Sequence, residues 1–214
     1  MKLVIFGATG FSGKAILAEA LRKGYEVSIL VRDASKVQIK HKNLTIIEGN
    51  VLNPQTVASV LQHLEAVIQC LGIGGTGDGK ANSFVSDATK IIVEEMQKQN
   101  ISRLIAMSNF GAGNSIAFLP WFFRKLILPY FMKWLKVIID DKNRMEPIIM
   151  NSSLDWTIIR CPNIIDKAAK NNCLASLDGK GLRLSVTLPD MAVFMVDQLD
   201  KDDYIKQAPC ISNQ

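Results

Sequence analysis

Short apolar runs recur along the chain at residues 3–6, 27–31, 44–47, 66–71, 104–107 and 156–159. Each is four to six residues long and dominated by Val, Ile, Leu, Ala, Met and Phe, as expected of strands buried on both faces. Helical patterns separate most of them. Residues 14–22 read as a first helix, with Gly24 placed to terminate it. Phe84, Ala88, Ile91, Ile92 and Met96 keep the spacing of a helix that turns one face to a core. Strand and helix in alternation predict an α/β fold, a Rossmann-like doubly wound parallel sheet with helices on both faces. Its ligand crevice is expected beyond the C-terminal ends of the strands.

The first strand breaks into Gly7-Ala-Thr-Gly-Phe-Ser-Gly13, immediately before the first helix. Glycines at that junction let backbone approach a ligand closely. The free N–H groups of the helix N-terminus, with the positive end of its dipole, suit a pyrophosphate. The spacing is G-x-x-G-x-x-G rather than the strict G-x-G-x-x-G, and its place between strand and helix is what makes it a dinucleotide signal. The second strand ends in Val31-Arg-Asp33, with Arg32 nineteen residues beyond Gly13. An acidic residue here would bind the ribose 2′-hydroxyl of NAD. Arginine instead offers a planar cation to the 2′-phosphate of NADP, and Ser35 and Lys36 add donors, so NADP(H) is the expected cofactor.

The other strand ends supply the remaining candidates. Asn50 and Val51 are placed to meet the adenine edge and face, and Leu71 and Gly72 to border the nicotinamide half. The stretch 72–79 contains five glycines and is expected to be a mobile loop. Ser108, at the end of the fifth strand, is the candidate nearest the substrate.

Composition narrows the reading. With 214 residues, 48% of them hydrophobic, the chain is most simply one domain over 1–214. It shows no signal-peptide pattern, which points to the cytoplasm. Cys70, Cys161, Cys173 and Cys210 have no paired spacing and lie apart from His41 and His63, so neither a metal site nor a disulfide framework is expected. The net charge of +5 is not gathered into a nucleic-acid-binding motif and fits anionic small ligands. Residues 116–139 stand apart, with Phe118, Trp121, Phe122, Phe123, Tyr130, Phe131 and Trp134 among four basic residues and no acidic one. Pro120, Pro129 and the charges argue against a transmembrane span. Two short amphipathic helices are expected, first as a lid over the crevice, with core packing, subunit pairing, or peripheral membrane or protein contact as alternatives.

Taken together, these motifs resemble the atypical short-chain dehydrogenase/reductases with an NAD(P)-binding, NmrA-like fold, especially the biliverdin reductase B and flavin reductase branch. The resemblance is carried by the glycine turn, Val31-Arg-Asp33, Gly49-Asn-Val51, Met107-Ser-Asn109, Asp140-Asp-Lys-Asn-Arg-Met-Glu146 and Leu154-Asp-Trp-Thr-Ile-Ile-Arg-Cys-Pro162. It implies that Gly7, Thr9, Gly10, Phe11 and Ser12 hold pyrophosphate and that Arg32 takes the 2′-phosphate. It further implies that Asn50 and Val51 meet adenine, that Pro162, Asn163 and Ile164 lie beside the nicotinamide, and that Lys142 borders the active site. Asn50 replaces the aspartate common in the family, and Cys161 interrupts its Arg-Pro.

The Tyr-x-x-x-Lys pair of ordinary short-chain dehydrogenases is missing, because Ile29, Trp134 and Ala208 stand four residues after the three tyrosines. Without that acid, alcohol–ketone chemistry is disfavoured. The expected activity is hydride transfer to a planar conjugated acceptor such as a flavin, quinone or tetrapyrrole, with Ser108 and Lys142 as candidate catalytic residues. The alternative is a non-catalytic NADP-binding sensor or scaffold.

Overall fold

The computed structural model describes residues 1–73 and 81–214. Most of the expected glycine-rich loop at 72–79 therefore lies outside the described residues. Strands β1 (Lys2–Phe6), β2 (Glu26–Val31), β3 (Leu44–Glu48), β4 (Ala66–Gln69), β5 (Arg103–Asn109) and β6 (Asp155–Cys161) match the apolar runs, with shifted ends. Four later strands carry too few apolar residues to announce themselves: β7 (Asn163–Ile165), β8 (Cys173–Ser176), β9 (Ser185–Thr187) and β10 (Cys210–Asn213).

The main sheet has the order β3-β2-β1-β4-β5-β6-β10-β8, parallel except for β8, which runs antiparallel to β10; β7 and β9 form a separate parallel pair. The chain winds outward from β1 in both directions, so the order reverses between β1 and β4. Parallel strands diverge there, and the crossovers leave a crevice at their C-terminal ends.

Alternation along β1 fixes the layers. Leu3 and Ile5 pack with α1 (Phe11–Arg22) and α5 (Leu188–Asp197) on one face. Val4 and Phe6 pack with α2 (Pro54–Val60), α3 (Phe84–Lys98) and α4 (Lys133–Met150) on the other. Helix α1 begins three residues earlier than its apolar pattern predicts, because Gly10 already serves as its N-cap. Helix α3 has no cap from its own Ser83. Asp141 of α4 fills that role, accepting from the N–H groups of Val85 at 2.9 Å and Ser86 at 3.3 Å, and so ties the two helices together.

The region 116–139 corrects the expectation of two short helices. A tight helical turn, Gly113–Phe118, is followed by a wide helix with π-type winding, Phe123–Phe131, and α4 then starts at Lys133 and runs on to Met150. Among the described residues no helix is long and apolar enough to cross a membrane.

Candidate functional site

The turn after β1 is shaped by close backbone contacts. Gly7 has φ +93°, and a β-carbon there would stand 2.7 Å from the Cys70 carbonyl oxygen. A β-carbon on Gly13 would fall 2.0 Å from the Gly7 carbonyl oxygen. Only glycine lets α1 settle this closely on the strand end. The Gly10 N–H donates to the Gly7 carbonyl at 3.0 Å, closing the turn. No side chain caps α1 and its first turn holds no acid, so its leading N–H groups keep their affinity for an anion.

These residues open onto a crevice of about 430 Å³. Gly7, Thr9, Gly10, Phe11, Ser12, Arg32, Val51, Leu71 and Gly72 all line it. So do several residues the sequence reading did not single out for a ligand: Phe6, Leu30, Val31, Gly49, Cys70, Phe84 and Met107. Met107 and Cys70 were legible as strand-end positions. Phe84 had no such signal, since it is the first residue of α3 and reaches the crevice through the tertiary fold.

The cationic end is Arg32, which is exposed and makes no ion pair among the described residues. The adjacent acid does not neutralise it. Asp33 accepts from the Ser35 N–H at 3.0 Å and the Ser35 hydroxyl at 2.5 Å, and its carboxylate lies 3.5 Å from Lys36. The Ser35 hydrogen bonds hold the Asp33 carboxyl below its ordinary range. Ser35 and Lys36 are thus engaged with Asp33, and Lys36 is not among the lining residues. Asn50 is also absent from the lining; its side-chain oxygen accepts from the Leu52 N–H at 3.0 Å and shapes its own loop. Pro162, Asn163 and Ile164 lie outside the crevice too, the latter two in β7, paired with β9.

At the other end the wall is apolar, and the two candidate catalytic side chains stand behind it. Lys142 lies on α4. It is 2% exposed, and its ammonium donates to the carbonyls of Leu71 at 3.2 Å and Met107 at 2.8 Å. Burial pushes its pKa down to about 8. Ser108 points to the α4 face of the sheet, away from Met107, and donates its hydroxyl to Glu146 at 2.7 Å. Glu146 in turn forms a buried ion pair with Arg160 at 2.7 Å. Cys70 donates its thiol to the Phe6 carbonyl, and burial raises its pKa to about 12, so it stays protonated. No cluster of three metal-binding side chains occurs among the described residues.

A larger, more open cavity of about 550 Å³ lies beside α4 and β6 and shares no residue with the crevice. Its buried charges, Glu146 and Arg160, are spent on each other. Among the described residues, none of 116–139 lines either cavity.

Comparison with known proteins agrees with this fold. The chain is 25% identical to the uncharacterized protein YwnB of Bacillus subtilis over 95% of its length and 94% of that protein's. The structure of a short-chain dehydrogenase/reductase from Veillonella parvula in complex with NADP superposes with a TM-score of 0.81 at 18% identity, covering 99% of this chain and 94% of that one. ChuY, an anaerobillin reductase from Escherichia coli O157:H7, does so with a TM-score of 0.78 at 19% identity, covering 100% and 97%. Both show a shared fold. A family profile described as NAD(P)H-binding matches residues 7–202, nearly the whole chain, so the protein belongs to that NAD(P)H-binding family.

Proposed function

We propose that the protein is an NADPH-dependent reductase of a planar conjugated acceptor. The observation that carries this reading is the asymmetry of the crevice. One end joins uncapped helix N–H groups to an unneutralised arginine, and the other is apolar, with Ser108 and Lys142 sealed behind the wall.

The Gly7 and Gly13 contacts seat the start of α1 against the strand end, with Gly10, Phe11 and Ser12 on the crevice wall, which fits a pyrophosphate at the helix N-terminus. In this reading the first-turn N–H groups of α1 hold the diphosphate, Arg32 clamps the 2′-phosphate, and Leu30 and Val51 flank the adenine. When bound, the reduced nicotinamide supplies a hydride. Leu71, Phe84 and Met107 exclude water at that end and give a flat acceptor an apolar surface. Lys142 fixes the carbonyls of Leu71 and Met107 and so holds the two strand ends in register; it is a positioning residue. Ser108 and Lys142 are too enclosed to protonate a carbonyl oxygen. That favours acceptors whose added charge delocalises over a ring or is quenched by solvent, for which proximity and orientation suffice.

The test is to follow loss of reduced-nicotinamide absorbance with NADPH and FMN, a quinone or biliverdin. Oxidation well above the protein-free rate with at least one acceptor is expected. Tight NADPH binding without turnover of any acceptor would overturn the reductase reading in favour of an NADP-binding sensor.

A further inference from the structure

The wide helix and the start of α4 expose a row of large apolar side chains that the crevice does not use. Trp121 is 67% exposed and Tyr130 68%, and Phe122, Leu126 and Trp134 also face solvent. From Phe122 the spacing is four residues at each step. Where the helix is widened, four residues fall just short of one turn, so Phe122, Leu126 and Tyr130 stay close to one side; Trp134 follows beyond the non-helical Met132. Soluble surfaces rarely gather this much apolar area without an occupant.

Charge identifies the occupant. Lys125, Lys133 and Lys136 are exposed beside the row and Arg124 is half-buried, while residues 116–139 contain no acid. Among the described residues only Lys136 is offset, by Asp140 at 2.6 Å. A second copy docked face to face would press these cations against one another. A substrate lid is unsupported, since the row borders neither cavity. Aromatic rings flanked by lysines on a short helix instead match the boundary of an anionic bilayer, where rings enter the headgroup layer and ammonium groups meet lipid phosphates.

We propose that residues 121–136 form a peripheral docking surface for anionic membranes, lying in the interface without crossing it. The segment leaves β5 at the C-terminal rim of the sheet, so docking sets the crevice end of the molecule toward the bilayer. The inference does not depend on the reductase reading, because its readout is binding alone.

The full chain is co-sedimented with vesicles of phosphatidylcholine, with and without phosphatidylglycerol, at rising salt. Binding only to the anionic vesicles, weakening with salt, is expected. The double variant Lys125→Glu/Lys133→Glu should lose at least about 25-fold in affinity. Trp121→Ala/Tyr130→Ala, which alters only solvent-facing rings, should weaken binding while leaving the thermal midpoint and NADPH affinity unchanged. No sedimentation with anionic vesicles at low salt, or equal binding to neutral ones, overturns the proposal. So does a wild-type dimer or protein complex that the aromatic variant dissociates.

Discussion

Lys142 carries a prediction whose size follows from its surroundings. Its ammonium is buried against two carbonyls, Leu71 and Met107, with no carboxylate in contact among the described residues. Desolvation is the largest influence and lowers its pKa from 10.5 to about 8; Asp141, Cys70, Cys161 and Glu146 act in the opposite sense and recover only part of it. In the unfolded chain the amine titrates at its ordinary value. Between about pH 8 and 10.5 the unfolded state therefore binds the extra proton, and stability attributable to this residue rises with pH. Below about pH 8 both states are protonated and the folded state bears the full burial cost, on the order of 3 kcal/mol. The four cysteines, all raised by burial, work against this above their ordinary value, because the unfolded thiols ionise while the folded ones do not. Comparison with Lys142→Met cancels that background. Urea unfolding of both proteins from pH 7 to 10 should show wild type gaining on the variant by about 1.4 kcal/mol per pH unit above pH 8. A difference that stays flat, or moves the other way, would refute the assignment of a buried, charge-penalised lysine.

Three further outcomes test the site and its supports. Arg32→Ala should weaken NADPH by about 10- to 100-fold, the value of a charge-assisted hydrogen bond, and NADH by less than about threefold; equal losses by fluorescence titration would remove the 2′-phosphate role. Gly13→Ala should cost about 1–3 kcal/mol or more, because a backbone oxygen 2.0 Å away cannot yield without moving α1. Gly10→Ala, whose added carbon meets that oxygen at 3.3 Å, should be far milder in the same unfolding assay. Glu146→Gln strands the Arg160 guanidinium, 2% exposed, and should cost about 3–5 kcal/mol, against about 1–3 for Ser108→Ala, which removes one hydrogen bond to the same carboxylate.

The parts of this molecule legible in its sequence are those fixed by neighbours along the chain. β1, the glycine turn and α1 are contiguous, and the turn's chemistry follows from which residues lack a β-carbon. Strands β1 to β6 declare themselves because most positions in each are apolar. β10 does not, although all four of its residues are buried. Ser212 and Asn213 are accommodated by partners far away in sequence, Arg183 at 2.9 Å and Asp190 at 2.6 Å, and no local pattern encodes them.

The surroundings of Ser108 and Lys142 are likewise set by residues distant in the chain. Asp140, Asp141, Lys142, Asn143 and Arg144 form five polar residues in a row, which reads as a solvated helix face. Yet Ile139, Lys142, Met145, Glu146 and Ile149 fall at i, i+3, i+6, i+7 and i+10, a single stripe, and all five are buried. A lysine and a glutamate inside an otherwise apolar stripe are a local signal after all, since each interrupts the period where a core side chain belongs. Their partners come from elsewhere in the chain: the carbonyls of Leu71 and Met107 for one, Ser108 and Arg160 for the other. Periodicity thus locates a buried charge without naming what it holds. Here the residues held are the ends of β4, β5 and β6, so α4 acts on the crevice from behind, by fixing the strands whose ends form its wall.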